Sequence, residues 1–98
     1  MNIIKKTDGT TLEIALEGRL DTMTAPELET ELKQTLDSAE KLVLDFSNLE
    51  YISSAGLRVL LSAHKSMSGK GGMKVKNVNE IVNEVFEVTG FADILTIE

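Results

Sequence analysis

The chain has 98 residues, enough for one compact domain with a single core, and its 42% hydrophobic and 27% charged content excludes a disordered chain. A formal net charge of -6, with no basic stripe interleaved with aromatics, argues against nucleic acid as a partner and suits a solvated surface or steering toward a basic protein. Lacking cysteine, any apolar run near the ~18 residues that span a bilayer, and an apolar signal core in its start MNIIKKTDGT, the chain is expected in the cytoplasm without disulfide, thiolate metal site or membrane association.

No repeat, low-complexity tract or linker interrupts the sequence, which reads as one domain over 1-98. Strands are predicted at Asn2 to Lys6 and Thr11 to Gly18, joined across Asp8-Gly9, a dipeptide suited to a tight hairpin. In the second, Leu12, Ile14 and Leu16 alternate with Thr11, Glu13 and Glu17, the mark of a half-buried strand. A helix start follows, with Thr24 as N-cap, Glu27 completing a capping box, Met23 and Leu28 as a hydrophobic staple, and Pro26 tolerated in the first turn. Leu28, Leu32 and Leu36 then form one apolar stripe, so this helix packs a single face on the sheet and runs to about Asp37.

Leu42 to Phe46 (LVLDF) is an apolar run suited to a central strand. A second helix is predicted from Ser54 to about Met67, with Leu57, Leu60, Leu61, Ala63 and Met67 inward, Arg58, Ser62, Lys65 and Ser66 outward, and Gly69 as a stop. Met73 to Lys76 reads as a strand, and Asn79 to Thr89 as a third helix burying Ile81, Val82, Val85 and Phe86 and closed by Gly90. Ile94 to Ile97 is a last strand or short helix. The order β-β-α-β-α-β-α-(β) implies an α/β fold, a mixed central sheet of four to five strands with helices packed against it.

The segment YISSAGL (residues 51 to 57) sits between the central strand and the second helix. Ser53 fits the N-cap, its oxygen accepting from the N–H of Ala55 or Gly56, with Ile52 and Leu57 as a hydrophobic staple. Ser54 then falls at the first helical position, where its hydroxyl has no capping duty and projects to solvent. Small Ala55 and Gly56 leave the backbone approachable. A phosphate on Ser54 would bring ~-1.5 to -2 charge to the positive pole of a helix, changing the surface while leaving the fold intact. From geometry alone, a serine pair at such a turn is first of all a capping feature.

The run DFSNLEYISSAGLRVLLSAHK (residues 45 to 65) resembles the signature of the STAS family, specifically bacterial anti-sigma factor antagonists, whose pattern reads Asp-[Leu/Phe]-Ser, a spacer, Asp-Ser-[Ser/Thr]-Gly-Leu and an amphipathic helix. GRLDTMTAPEL (residues 18 to 28) is similar to the family's Gly-x-[Leu/Ile]-Asp segment, and GGMKVKNVNEIVNEVFEVTGF to its last strand and helix, so the resemblance covers nearly the whole chain. It implies partner switching: the unphosphorylated protein binds an anti-sigma factor serine kinase and frees the sigma factor, the kinase phosphorylates one serine to end binding, and a metal-dependent serine phosphatase resets it. That serine precedes the [Ser/Thr]-Gly pair, which here selects Ser54, with Ser53 as the alternative acceptor. Ser53 stands where the family commonly has Asp, and Ala55 where it has Ser or Thr. Both Asp and Ser cap helices well, whereas a carboxylate for the kinase to read is absent.

The partner-binding residues implied are Asp21, Ser53, Ser54, Ala55, Gly56, Leu57 and Arg58, the resemblance placing the Asp21 loop near the phosphorylated serine. His64 has no serine or carboxylate at triad spacing, GKGG (69 to 72) lacks the phosphate-loop pattern, and the acids are not paired for acid/base work. No catalytic residue, cofactor or metal site is therefore expected. The competing expectation is a non-switching STAS module of a transport or signalling assembly, or a small-ligand sensor.

Overall fold

The computed structural model describes residues 1–98, which form one five-stranded sheet with the helices packed on one of its faces. The strands are β1 (Asn2–Asp8), β2 (Thr11–Leu20), β3 (Lys41–Ile52), β4 (Met73–Lys76) and β5 (Thr96–Ile97), in spatial order β1-β2-β3-β4-β5. Only β1–β2 is antiparallel; the other neighbours run parallel, each reached through a helical crossover. The helices are α1 (Ala25–Thr35), α2 (Ser54–Met67) and α3 (Glu80–Thr89), with short 3₁₀ turns at Leu36–Ser38 and Phe91–Asp93. The predicted α/β order is thus observed in full, and the last segment, Ile94 to Ile97, holds the short strand β5 rather than a helix.

Alternation places Leu12, Ile14 and Leu16 of β2 beside Leu42, Leu44 and Phe46 of β3 and Met73 and Val75 of β4, all buried under the helices. Leu28 and Leu32 of α1, Leu57, Leu60, Ala63 and Met67 of α2, and Val82 and Phe86 of α3 complete a single core of 24 buried residues. Each fully buried leucine or phenylalanine contributes roughly 1.5–3 kcal/mol of transfer free energy.

Several local features depart from the sequence expectations. The β1–β2 hairpin turns on Gly9-Thr10, since Asp8 already pairs with Thr11, and Gly9 alone takes a positive φ (62°). That suits a two-residue hairpin loop with glycine at its first central position. Met23 is 85% exposed and staples nothing, and Thr24 makes no side-chain cap bond to α1. On α3, Ile81 is 58% exposed rather than buried, because the helix turns Val82 and Phe86 inward, while on α2 Leu61 is only half-buried and Val59 takes an inward place. Gly69 is not the stop of α2, which ends on Ser68 in helical conformation. The GKGG loop instead fastens two connections: Gly71 N–H donates to the Glu40 carbonyl at 2.6 Å, and Lys70 Nζ donates to the carbonyls of Leu36 and Ala39 at 2.8 and 3.1 Å. Lys70 thereby ties the loop after α2 to the 3₁₀ turn that follows α1, sharing the Leu36 carbonyl with the Ala39 N–H.

The largest departure is β3, which continues to Ile52 instead of ending at Phe46. Its pairing with β2 slips twice: Ala15 opposes Asp45 but Glu17 opposes Asn48, and Gly18 opposes Leu49 but Arg19 opposes Tyr51. Each slip inserts one extra residue in β3, so the buried positions run Leu42, Leu44, Phe46, Leu49, Ile52. Asp45 braces the first slip, its carboxylate accepting from Ser47 N–H at 3.0 Å, Ser47 Oγ at 2.6 Å and Asn77 Nδ2 at 3.0 Å. Burial raises this carboxyl's pKa, but the Ser47 and Asn77 hydrogen bonds, with Lys76 nearby, outweigh it and hold the value below the ordinary aspartate range.

Candidate functional site

The candidate site forms where β2 and β3 end side by side. Ser53 is the last rung between them: its N–H donates to the Leu20 carbonyl at 2.9 Å, and its own carbonyl accepts from Leu57 N–H at 2.9 Å, starting α2. Its extended backbone (φ -102°, ψ 177°) is that of an N-cap, as expected from sequence. The side chain is not used as expected, however. Ser53 Oγ is buried without a partner, and no side chain accepts from the first N–H groups of α2. Main-chain bonds on both sides already fix the residue, so the turn forms without the hydroxyl.

Ser54, the first residue of α2, is exposed. The two serines therefore differ in access: one hydroxyl faces solvent and the other is enclosed. Ala55 is half-buried against the core. Gly56 and Leu57 do not lie on the surface proposed for them. Leu57 is buried, and a Cβ on Gly56 would stand 2.7 Å from Leu20 Cγ and 2.9 Å from Ile52 Cγ1. The glycine lets α2 descend onto the ends of β2 and β3, and its backbone is covered rather than open to a partner. Arg58 is exposed, one turn beyond Ser54, and pairs with no carboxylate of the chain.

Asp21 follows β2 directly and is tied down. Its Oδ1 accepts from Met23 N–H at 3.0 Å and Thr24 N–H at 3.2 Å, while the Thr24 hydroxyl accepts from Asp21 N–H at 2.9 Å and donates to the Arg19 carbonyl at 2.8 Å. The capping box expected between Thr24 and Glu27 is thus replaced by an Asp21–Thr24 exchange one turn earlier. Arg19 Nε lies 3.8 Å from Asp21 Oδ2, and its guanidinium stacks 4.6 Å from the Tyr51 ring centre. Arg19 and Tyr51 were missed from sequence, because a parallel register across a crossover leaves no local pattern.

Partial burial pushes the Asp21 carboxyl up, but the Thr24 and Met23 N–H groups, the Thr24 hydroxyl and Arg19 together hold it below the ordinary aspartate value. A carboxyl with a depressed folded-state pKa stabilises the fold above its unfolded value of ~3.9, and that contribution fades as pH falls through the lower folded value. Asp21→Asn is accordingly expected to flatten the loss of stability below about pH 4 in urea melts of wild type and variant, and an unchanged acid limb would contradict this role.

His64 is half-buried, with Nδ1 enclosed and unpartnered. No helix is long and apolar enough to cross a membrane.

Comparison with known proteins agrees with this architecture. Residues 4–96 match the family model described as "Mlab, STAS domain". The chain belongs to the STAS family. The BtrV protein of Bordetella bronchiseptica, whose name offers it as an anti-sigma factor antagonist, is 39% identical over 94% of this chain and 80% of its own. The anti-sigma-B factor antagonist of Bacillus subtilis is 26% identical over 99% of this chain and 90% of its own. A crystal structure of an anti-sigma factor antagonist from Mycobacterium paratuberculosis superposes with a TM-score of 0.89, at 23% identity, over 98% of this STAS domain and 83% of that chain.

Proposed function

We propose that this STAS domain is an anti-sigma factor antagonist that works by partner switching in the cytoplasm. Unphosphorylated, it binds an anti-sigma factor serine kinase and so frees the sigma factor; phosphorylation of Ser54 ends that binding, and a metal-dependent serine phosphatase restores it. It acts by binding, not by catalysis. The supporting observation is the contrast at the start of α2, where Ser54 is exposed at the first helical position and Ser53 Oγ is enclosed. The names of its relatives supply the partner class.

The local physics suits such a switch. A phosphate on Ser54 would lie beside N–H groups that no side chain caps and near the free guanidinium of Arg58, both favourable to a dianion. The folded state thus tolerates the modification, while charge and bulk appear on the rim of Asp21, Ala55 and Arg58 where the kinase docks.

Incubation with a candidate anti-sigma kinase and ATP, followed by mass spectrometry of the peptides, is expected to place one phosphate on Ser54. A kinase shown to be active that leaves both serines unmodified would refute the switch. Phosphate on Ser53 alone would refute the choice of residue.

A further inference from the structure

The acidity of the chain is concentrated at one end. Residues 1–76 hold ten basic and eleven acidic side chains, whereas residues 77–98 hold five acidic ones (Glu80, Glu84, Glu87, Asp93, Glu98) and no lysine or arginine. Of the five large apolar side chains that stay exposed, Ile81 (58%), Val88 (79%) and Ile94 (45%) lie in this same segment.

On α3 the apolar residues fall in register. Ile81, Val85 and Val88 are spaced four and three apart, which lines them along one face of a helix, with Val85 half-buried between its exposed neighbours. This stripe is additional to the inward one of Val82 and Phe86. It is also held in place: Asn79 Oδ1 caps the helix by accepting from Val82 N–H at 2.8 Å, Asn79 Nδ2 donates to the Leu49 carbonyl at 2.7 Å, and left-handed Gly90 (φ 82°) closes the other end. Exposed Glu80, Glu84 and Glu87 share the helix with the stripe, and none of them forms an ion pair.

Single exposed valines or isoleucines are ordinary on protein surfaces, but a preformed apolar stripe among uncompensated carboxylates defines a partner's chemistry. A second copy would bring glutamates against glutamates, and an anionic membrane would be repelled in the same way. A helix with apolar residues along one side and lysines or arginines beside them satisfies both parts of the surface. We propose that the outer face of α3 is a docking surface for a cationic amphipathic helix of a partner protein, separate from the Ser54 site.

The test uses the full chain, labelled with nitrogen-15, and a synthetic helical peptide of leucine and lysine with all leucines on one side. Its control is the same composition scrambled so that the leucines scatter. The amphipathic peptide is expected to shift amide signals across Glu80–Thr89 and to bind about tenfold more tightly than the scrambled one. Joint replacement Ile81→Asp and Val88→Asp, at exposed positions that leave the core intact, should remove about tenfold of that affinity, as should Glu84→Lys with Glu87→Lys. Ser54→Asp should leave it within about twofold, which keeps this surface distinct from the phosphorylation site. Equal binding of both peptides, shifts centred on α2, or insensitivity to the α3 variants would overturn the proposal. So would a peptide-free dimer in sedimentation that Val88→Asp dissolves, since that would give the face to a second copy.

Discussion

Ser54→Asp is expected to weaken binding to the anti-sigma kinase about 30-fold or more, roughly 2 kcal/mol, while the melting temperature stays within a few degrees of wild type. The two halves of this result have different causes. A carboxylate at the first position of α2 faces the positive end of the helix and contributes roughly 0.3–1 kcal/mol in favour of the fold. In the complex the same charge would be desolvated among groups arranged for a neutral hydroxyl, a penalty of several kcal/mol before compensation. Calorimetric titration against the kinase and a thermal melt of the free variant separate the two effects. Ser54→Ala should bind like wild type and resist release by ATP. A Ser54→Asp protein that melts far lower, or binds undiminished, would remove the basis for a surface switch at this residue.

Gly56→Val is expected to cost about 3 kcal/mol or more of stability, a fall of roughly 12 °C or more in melting temperature for a domain of this size. In an open helix, replacing glycine would be favourable by up to ~1 kcal/mol, so the sign depends on what the new Cβ meets. It meets Leu20 Cγ at 2.7 Å and Ile52 Cγ1 at 2.9 Å, and both side chains are buried to within 1% of complete. Neither can swing away. Leu20→Ala should destabilise the wild-type background by about 2–5 kcal/mol but cost much less in the Gly56→Val background, because one change empties the space the other needs. Additive losses in urea denaturation would place the strain elsewhere.

The element order, the inward faces of β2 and α1, and the start of α2 were legible in the sequence because each rests on a local pattern: alternation, a four-residue leucine repeat, a serine before an apolar helix. What escaped notice was set by contacts between distant segments. The end of β3 is not visible past Phe46 because two extra residues break the alternation, so Leu49 carries no strand signal and Ile52 reads only as a staple before α2. From local sequence Gly56 reads as an opening in the surface, and the approach of Leu20 and Ile52 from the two strand ends makes it a packing glycine. Thr24 meets every local rule for an N-cap, yet its hydroxyl is held by Asp21 N–H and the Arg19 carbonyl in the turn that leaves β2, and no side chain caps α1. Of the candidate site, the access of Ser54 was foreseen, whereas the enclosed hydroxyl of Ser53 and the Arg19–Tyr51 stack were not.

The two slips in β3 also bear on how the region can change by insertion or deletion. Leu49 and Ile52 reach the core only because the strand gains a residue twice, and α2 begins two residues after Ile52. Losing one residue from this stretch would force a leucine or isoleucine toward solvent, or start α2 one residue out of phase, turning it by about 100° about its axis. Either outcome would carry the Ser54 hydroxyl away from its present direction and bring a different side chain to the rim. Chain length between Phe46 and Ser54 therefore governs which hydroxyl the molecule presents, and substitutions are tolerable at the exposed positions Ser47, Asn48 and Glu50 where single-residue gaps are not.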